Sequence, residues 1–470
     1  MLAACLWATN AAAQPALPRL DLADSVVAEA ATIVRDVQLD GRSLPFDALA
    51  STAVEEGEHT LSFAVDAAAS GARLLLAPCA GKVQPAVKID GAEARERRVS
   101  ATGQRLDLAP GKHTVELTLT VSTYERRIAC GAPPRVGPST WSFAGLRTLH
   151  YASNRSGGNC ERCRPGQALV YVPRIVAERE ARGDTTSAPL LLGLHPWKGA
   201  IETYAAYTDL LEAAEREGVI VLLADGLGNS LYRADAEAEV MDALDAATQM
   251  LHVDADRISL FGASMGGAGA TTVGFHHPDR FATLTSLFGD SKYDLSTYVR
   301  RLLPTEADAA KVNALDVVEN ARNLPVVLVH GDADISSKIE QSEILDRAMR
   351  ERGFSVRFDR KPGRGHEGRL VSEYAADIAQ RTAKVRRVAW PTRVSYRSVR
   401  DGDVGAYGVN FRKSAPRSFV DVEYKDGEIL VHSCAGISTI TLHPRALGAS
   451  PNTPVRFAAG VAQVPIVWAP

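Results

Sequence analysis

The sequence predicts an α/β fold with a doubly wound, mostly parallel sheet, flanked by an N-terminal β-sandwich and a small C-terminal β-module. Between residues 168 and 381, apolar runs of strand length alternate with amphipathic helical segments, as expected for a parallel sheet with right-handed crossovers. The segments before and after this region alternate apolar and polar residues with a period of two. The chain has 470 residues, which is enough for two or three domains.

Composition excludes several classes of function. Hydrophobic residues make up 46% of the chain and charged residues 23%, which is typical of a globular protein. The formal net charge is −3, so no basic surface for a nucleic acid is expected. No apolar run reaches the length that crosses a bilayer, and we expect no membrane span.

The N-terminus predicts export. Leu2–Thr9 is apolar and is followed by Ala11-Ala-Ala13, which fits a small-residue cleavage site, so residues 1–13 are interpreted as a signal peptide of a secreted or periplasmic protein. Leu2-Ala-Ala-Cys5 also resembles a lipobox. A lipid anchor on Cys5 is therefore the alternative.

Five cysteines would remain after cleavage, and an exported protein can form disulfides. Cys79 and Cys130 fall in one β-rich region and are candidate partners. Cys160 and Cys163 lie in a polar loop without a second cysteine pair, which favours a local disulfide over a zinc or redox site. Cys434 is then left as an odd, buried thiol.

The predicted N-terminal part consists of a linker or helix over residues 14–45 and a β-sandwich over 46–152. Leu106–Ala109 and His113–Val121 flank Pro110-Gly-Lys112, which predicts a hairpin. Trp141–Tyr151 is interpreted as the last strand of the sandwich.

Residues 153–385 are predicted to form the α/β domain. Its expected strands lie at 168–173, 190–195, 219–224, 258–261, 281–288, 325–330 and 356–360, and its helices at 201–217, 234–251, 337–352 and 370–381. Residues 386–470 return to a period of two and predict the C-terminal β-module, with strands at 394–396, 406–411, 419–422, 429–432 and 437–442. We find no repeat between the two β-modules.

Gly262-Ala-Ser264-Met-Gly266 follows a short apolar run and precedes small residues that could begin a helix. This Gly-x-Ser-x-Gly spacing is typical of a nucleophile elbow, in which glycines allow a sharp turn from strand to helix. The turn would expose the Ser264 hydroxyl and set the Met265 N–H at a helix N-terminus. A glycine-rich loop that merely contains a serine is the alternative.

A base and an acid follow in the required order. The apolar run Val327–His330 ends in Gly331-Asp332-Ala333-Asp334, and the next predicted strand leads to Gly365-His366. Carboxyl ends of parallel strands are where such sheets carry their chemistry. Ser264, Asp334 and His366 thus predict a Ser-Asp-His triad, with Asp332 as a rival for the acid.

The remaining catalytic part is a pair of oxyanion donors. His195-Pro-Trp197 follows a buried strand, and Pro196 has no N–H to donate, so the Trp197 N–H is the candidate partner of the Met265 N–H.

The segment from Leu169 to Ile378 resembles an α/β-hydrolase of the prolyl oligopeptidase superfamily, which includes secreted esterases of the feruloyl-esterase and polyhydroxybutyrate-depolymerase kind. The resemblance is carried by the following stretches: Tyr171-Val-Pro173, His195-Pro-Trp197, Asp254-Ala-Asp256-Arg-Ile258, Gly262-Ala-Ser-Met-Gly-Gly267, Asn323-Leu-Pro325, His330-Gly-Asp-Ala-Asp334 and Pro362-Gly-Arg-Gly365-His366. Two stretches depart from the family pattern. His195-Pro196 stands where His-Gly is usual, and Ile335-Ser-Ser337 replaces the usual Val-Pro.

This resemblance implies Ser264 as nucleophile, Asp334 as acid and His366 as base of a cofactor-free serine hydrolase. Because no propeller-sized segment is present, we expect an esterase acting on small-molecule or polymer-linked esters. A serine peptidase of the same superfamily is the alternative. A non-catalytic surface-binding protein on a hydrolase scaffold is the second alternative.

Two further patterns are weaker. Gly226-Leu-Gly228 follows a strand but lacks the third glycine of a dinucleotide loop, so a loop at the sheet edge is preferred. His276-His277 ends the predicted helix before Pro278, which favours imidazoles at a helix C-terminus over a metal site.

Overall fold

The chain divides into two compact units. One consists of Met1–Ser230, Ala234–Asp254 and Glu367–Ala383, and the other of Leu231–Arg233, Ala255–His366 and Lys384–Pro470. The computed structural model describes residues 5–10, 19–22, 34–43, 57–67, 72–77, 86–94, 98–100, 103–121, 145–151, 167–173, 175–176, 179, 184, 186–201, 203–293, 299 and 302–469. The candidate disulfide cysteines Cys79, Cys130, Cys160 and Cys163, and the proposed cleavage site after Ala13, lie outside these residues.

The N-terminal part of the first unit is rich in strands. Eleven are described: β1 (Cys5–Asn10), β2 (Arg19–Leu22), β3 (Val34–Leu39), β4 (Arg42–Ser43), β5 (Gly57–Ala67), β6 (Ala72–Ala77), β7 (Ala86–Ile89), β8 (Ala92–Glu93), β9 (Arg98–Ser100), β10 (Gly103–Leu108) and β11 (Gly111–Val121). Ten of them form two antiparallel sheets, in the orders β1-β6-β10-β9 and β4-β3-β5-β11-β7-β8.

The six-stranded sheet contains an internal repeat that the sequence analysis missed. Asp40 and Asp90 each begin an Asp-Gly turn, and their φ angles of 50° and 52° are left-handed. Asp40 accepts a hydrogen bond from His59 at 2.8 Å, and Asp90 accepts one from His113 at 2.7 Å. The threonine after each histidine also donates its backbone N–H to the same carboxylate. The two halves of this sheet are therefore built alike, on either side of the paired strands β5 and β11.

The prediction of a linker or helix over residues 14–45 is wrong where that segment is described, because β2, β3 and β4 lie there. The register of β3 against β5 shifts between Arg35 and Gln38, and Asp36 has a φ of 54°. This bulge interrupts the period of two by which a strand is read from sequence.

The predicted hairpin before Val121 is also wrong, because its two strands belong to different sheets. β10 pairs with β6 and β9, whereas β11 pairs along its whole length with β5 and on its other edge with β7. Residues 109–110 therefore carry the chain from one sheet to the other. Local turn chemistry predicts a reversal of direction but not the partner strand.

The α/β elements continue in chain order. They are β12 (Gly145–His150), β13 (Gln167–Val172), β14 (Ala188–Leu194), α1 (Thr208–Glu217), β15 (Ile220–Ala224), α2 (Asp235–Met250), β16 (Val253–Ala263), α3 (Met265–His276), β17 (Thr283–Leu287), α4 (Glu306–Ala310), β18 (Val326–Gly331), α5 (Glu340–Glu351), β19 (Val356–Lys361) and α6 (Arg369–Lys384). Short 3-10 helices occupy Tyr204–Ala206, Pro278–Arg280 and Ala314–Asn323.

Each unit has its own run of hydrogen-bonded strands. In the first unit the order is β14-β15-β13-β12-β2, and in the second it is β19-β18-β17-β16 with all pairs parallel. The strands β14, β15, β17 and β18 are buried along their whole length, as sheets covered on both faces require. The predicted α/β fold with flanking β-rich segments is confirmed.

β12 corrects the predicted boundary near residue 152. The strand within Trp141–Tyr151 was expected to close the sandwich, but it pairs antiparallel with β13 from Gly145 opposite Val172 to His150 opposite Gln167. It also pairs with β2. Since pairing depends on distant strands, the sequence pattern of β12 alone could not assign it to a sheet.

A buried carboxyl lies in the first unit at the end of β12. Glu239 in α2 accepts hydrogen bonds from the Tyr151 hydroxyl and from the Gly226 N–H, the latter at 2.7 Å. Its residue surface is 0% exposed. Burial raises the pKa of Glu239 to about 8, because the charged form loses its hydration.

We expect this carboxyl to make the stability of the first unit fall as pH rises. When folded, Glu239 holds its proton up to about pH 8, whereas the unfolded chain releases it near the ordinary value of 4.5. Its contribution is complete below the lower pKa and is lost through the higher one, with a slope of up to about 1.4 kcal/mol per pH unit. In urea unfolding measured across this pH range, the free energy of unfolding of Glu239→Gln should depend less on pH than that of the wild type. The exposed Glu340→Gln is the control, and equal slopes in all three proteins would contradict the expectation.

The C-terminal β-module belongs to the second unit. Its strands are β20 (Arg393–Ser398), β21 (Gly405–Ala406), β22 (Val409–Lys413), β23 (Ser418–Lys425), β24 (Glu428–Ala435), β25 (Ile437–Leu442), β26 (Val455–Phe457) and β27 (Ile466–Trp468). They form two four-stranded sheets, β20-β23-β24-β26 and β21-β22-β25-β27, around a shared apolar core. Cys434 in β24 is a free thiol but only half-buried, which corrects the expectation of a buried one.

Within the second unit, the β-module is bonded to the end of α3. The His276 Nδ1 lies 2.6 Å from Asp403 Oδ2, and the two side chains are 0% and 5% exposed. Tyr396 donates its hydroxyl to the His276 carbonyl at 2.8 Å, and Tyr407 donates to the Pro278 carbonyl at 2.7 Å. Burial alone would raise the pKa of Asp403, but the hydrogen bonds and charges of His276 and Arg400 together outweigh burial and lower that pKa. The module is therefore an integral part of this unit.

The part of the chain that the structure describes contains no helix both long and apolar enough to span a bilayer.

Candidate active site

Ser264 occupies a sharp turn between β16 and α3. Its φ is 58° and its ψ is −121°, a strained conformation for a residue with a Cβ. The Ser264 N–H donates to the Leu287 carbonyl at 2.9 Å, which fixes the turn against β17. A Cβ on Gly267 would lie 2.6 Å from that same carbonyl, so glycine is required where α3 approaches β17. This geometry is that of a nucleophile elbow.

His366 lies between Ser264 and Asp334. Its Nε2 is 2.8 Å from the Ser264 Oγ, and its Nδ1 is 2.7 Å from Asp334 Oδ2. The His366 side chain is 27% exposed, whereas the Asp334 side chain is fully buried. The structure thus brings together the three residues that the sequence predicted as a triad, and all three belong to the second unit.

Asp334, rather than Asp332, faces the histidine. The carboxylate of Asp332 accepts from the Gly363 N–H at 2.7 Å and from Arg360 Nε at 3.2 Å. One of its oxygens is therefore engaged by the turn before His366 and the other by the end of β19. Asp332 stabilises that turn, whereas Asp334 accepts the hydrogen bond from the His366 imidazole.

The Asp334 carboxylate is strongly stabilised in its charged form. Burial alone would raise its pKa, but the His330 Nε2 at 3.5 Å, the hydrogen bond from His366 with its charge and the Ser337 N–H together outweigh burial and hold the pKa of Asp334 well below its usual range. An ionised acceptor requires His366 Nδ1 to carry a hydrogen, which leaves the Nε2 lone pair free to accept from the Ser264 hydroxyl. The arrangement can therefore remove a proton from Ser264.

The loops carrying the acid and the base contact each other directly. Ala333 donates its N–H to the Arg364 carbonyl at 2.9 Å. A Cβ on Gly331 would lie 2.2 Å from the same carbonyl oxygen, so a side chain there would displace one of the loops. This close approach fixes the separation of Asp334 and His366.

Phe288 is a site residue that the sequence analysis did not find. Its ring meets the His366 ring edge-on, with centroids 4.6 Å apart and planes at 63°. Phe288 is buried and has a φ of 41°. It follows β17 directly, so its position at a strand end was the available signal, but an aromatic residue there also fits a buried core.

The two candidate oxyanion donors lie in different units. Met265 is the first residue of α3, where the helix provides no acceptor for its N–H. Trp197 lies in the turn after β14, and Lys198 beside it has a φ of 62° and donates its N–H to Asn229 Oδ1 at 2.6 Å. The turn is therefore held by the loop that follows β15.

The two weaker patterns lie in a loop and at the end of a helix. Gly226 and Gly228 lie in a tight loop with left-handed backbone, next to the partly buried Asp225, whose loss of hydration raises its pKa to about 7. His276 is hydrogen-bonded to Asp403 through its Nδ1, as described above. Among the described residues, no group of three or more His, Cys, Asp or Glu side chains could hold a metal ion.

Comparisons with known proteins agree with the resemblance predicted from the sequence. Residues 228–385 match the model of the prolyl oligopeptidase family, a segment that includes Ser264, Asp334 and His366. Over this segment, the predicted resemblance to that family is confirmed. No curated protein sequence matches the chain.

Solved structures of low sequence identity show partial likeness. An S-formylglutathione hydrolase from Agrobacterium tumefaciens is 17% identical, with 51% of this chain and 95% of that chain covered and a TM-score of 0.43. Est1E from Butyrivibrio proteoclasticus is 18% identical, with 46% and 93% covered and a TM-score of 0.34. Dipeptidyl peptidase 4 of Porphyromonas gingivalis is 15% identical, with 68% and 42% covered and a TM-score of 0.39.

Proposed function

We propose that this serine hydrolase of the prolyl oligopeptidase superfamily cleaves carboxylic esters through an acyl-enzyme formed on Ser264. The supporting observation is the continuous hydrogen-bonded chain from Ser264 through His366 to the buried Asp334, at 2.8 and 2.7 Å. Nucleophile, base and acid are each within hydrogen-bonding distance of the next, as acyl transfer requires.

The reaction follows from these contacts. His366 Nε2 accepts the Ser264 proton as Oγ attacks the ester carbonyl, and the resulting imidazolium is stabilised by the Asp334 carboxylate. The imidazolium then donates that proton to the departing alcohol, which leaves the acyl group on Oγ. A water molecule, deprotonated by His366, attacks the acyl carbon and releases the acid with the serine restored.

The tetrahedral oxyanion requires donors that are fixed before the reaction. The Met265 N–H, at the positive end of α3, is one donor in this proposal, and the Trp197 N–H is the other. The Trp197 assignment rests on its position in the loop after β14 and on Pro196 having no N–H. No cofactor takes part in these steps.

The preference for esters is supported by the size of the flanking segments. Peptidases of this superfamily often carry a large propeller that filters substrates, whereas the segments here form small β-sheets. A small-molecule or polymer-linked ester is therefore the proposed substrate. The match to a peptidase family model keeps a serine peptidase as the second candidate. The intact Ser264–His366 contact counts against a purely binding role.

A substrate panel separates the two candidates. We expect p-nitrophenyl acetate and butyrate to be hydrolysed with a higher kcat/KM than aminoacyl and prolyl anilides, because this site is proposed to serve ester leaving groups. Hydrolysis by Ser264→Ala protein is the blank for each substrate. Preferential turnover of the anilides would contradict the esterase assignment and support the peptidase.

We further propose that the protein is exported, with cleavage after Ala13. The proposal rests on the apolar segment Leu2–Thr9 and on the small residues before the cleavage site. Mature protein recovered from outside the cytoplasm should begin at Gln14, as read by N-terminal sequencing. Recovery of uncleaved chain from the cytoplasm alone would contradict export, and a lipid-modified Cys5 would support the anchored alternative.

A further inference from the structure

A cluster of buried polar side chains lies next to Asp334, the proposed catalytic acid. Asp290, His330, Ser337 and Ser342 are each 5% exposed or less, and all belong to the second unit. None of them takes part in the reaction steps proposed above. Burying a polar group is unfavourable unless it is hydrogen-bonded, so a cluster of this kind needs internal partners.

Ser337 is the centre of this cluster. Its N–H donates to Asp334 Oδ1 at 3.0 Å, and its hydroxyl donates to Asp290 Oδ1 at 2.5 Å. Its carbonyl faces His330 Nε2 at 2.8 Å. One residue therefore joins the catalytic acid, a second buried carboxyl group and a buried histidine.

His330 contacts the other oxygen of the acid. Because a carbonyl only accepts, the Nε2 that faces the Ser337 carbonyl carries a hydrogen, and Nδ1 is hydrogen-bonded to the Ser342 hydroxyl at 2.8 Å. The same Nε2 lies 3.5 Å from Asp334 Oδ2, the oxygen that accepts from His366. His330 Nε2 is thus a donor held beside the catalytic hydrogen bond by the contacts of its ring to Ser337 and Ser342.

We propose that Ser337 and His330 are positioning residues that hold the Asp334 carboxylate in the orientation that His366 requires. Ser337 fixes Oδ1 through its N–H and anchors the loop to Asp290 through its hydroxyl. His330 restrains Oδ2, from which its Nε2 lies 3.5 Å away. The inference rests on the proposed triad, since it concerns how the acid of that triad is oriented. Partners of this second layer are commonly needed to keep a catalytic group within the narrow range of productive geometry.

The adjacent Ser336 supplies a matched control. Ser336 is exposed and donates its backbone N–H to the same Asp334 Oδ1 at 2.8 Å. Ser337→Ala and Ser336→Ala each keep the backbone donor and remove one hydroxyl, but only the first removes the contact to Asp290. Ser337→Thr retains the hydroxyl and serves as the conservative rescue.

We expect Ser337→Ala to lower kcat for the preferred ester about 10-fold, with KM little changed, as for other second-layer partners. The rate of fluorophosphonate labelling at Ser264 should fall in parallel, while Ser336→Ala and Ser337→Thr stay near wild type. A thermal unfolding curve of each variant identifies any that is not folded. Wild-type kcat and labelling rate in folded Ser337→Ala would overturn its positioning role.

His330 is tested by a pair of variants and a pH profile. His330→Leu removes the donor beside Oδ2, whereas His330→Gln can place an N–H near the same point. Without that donor, Oδ2 attracts the His366 proton more strongly, so the acid limb of kcat/KM should move to higher pH in the leucine variant and less in the glutamine variant. A merely structural role would change activity without moving this limb, and an unmoved limb in an active, folded His330→Leu protein would overturn the inference.

The same measurements keep this inference separate from the proposed function. Failure of the wild-type protein to label with the fluorophosphonate would overturn the triad on which the inference depends. Labelling of the wild type together with unchanged Ser337→Ala and His330→Leu variants would overturn the positioning inference alone.

Discussion

Ser264→Ala is expected to lower kcat for the preferred ester by roughly 10⁶-fold, because it removes the only atom that can form the acyl-enzyme. Covalent labelling by a fluorophosphonate probe should disappear with it. Any residual hydrolysis above the uncatalysed rate would come from the oxyanion donors and from substrate binding. Initial rates and probe labelling of the purified variant measure both effects.

The variant should remain folded. Alanine keeps the Cβ of serine, so it meets the same backbone strain at a φ of 58° and leaves the elbow and its bond to Leu287 in place. Ser286→Ala is a suitable control, since Ser286 donates its hydroxyl to the Gly267 carbonyl at 2.9 Å without contacting His366. Labelling of Ser264→Ala, or its loss in Ser286→Ala with the fold intact, would contradict the assignment of the nucleophile.

The elbow and the order of the triad could be predicted from sequence because each is encoded locally. Gly262, Ser264 and Gly266 satisfy the steric needs of one turn, and His366 follows a strand in a glycine-rich loop. The structure adds the distances that bring Ser264, His366 and Asp334 together. Such a site is a set of local motifs placed at the ends of neighbouring strands.

Pairing between distant strands was the part that the sequence did not reveal. β10 and β11 have the pattern of a hairpin, yet each pairs with a strand elsewhere in the chain, and β12 leaves the predicted sandwich for β13. The period of two indicates which face of a strand is buried but not which strand lies beside it. The repeat around Asp40 and Asp90 was not found in the sequence because its two shared elements are separated by segments of different length. These elements are an Asp-Gly turn and a later His-Thr pair.

The choice between Asp332 and Asp334 lay beyond sequence for a different reason. Both carboxylates stand in one turn, two residues apart, and either could follow a strand end. The direction of the Asp332 side chain depends on the segment before His366. The Gly363 N–H and the Arg360 side chain at the end of β19 both donate to the Asp332 carboxylate. Phe288, Asp290 and Ser337 were missed on similar grounds, since their roles depend on what the folded chain places beside them.

Asp334→Asn is expected to lower kcat about 10⁴-fold, the scale seen when the acid of a serine triad is made neutral. The asparagine amide can donate toward His366 Nδ1, which would place the ring hydrogen on Nε2 and leave no lone pair for the Ser264 proton. The variant also loses the negative charge that stabilises the imidazolium. Steady-state kinetics on the preferred ester, with thermal unfolding to verify the fold, measure the effect.

Asp332→Asn is the matched comparison, because it makes the same change two residues away. Its remaining oxygen can still accept from the Gly363 N–H, and the lost partner, Arg360, is a half-exposed side chain whose ion pair contributes little. We expect its kcat to remain within about 10-fold of wild type, since the turn before His366 loses one of two restraints and the catalytic hydrogen bond is untouched. If Asp332→Asn instead showed the larger loss, the acid would be Asp332, and the 2.7 Å contact between Asp334 and His366 would not be the one used in catalysis.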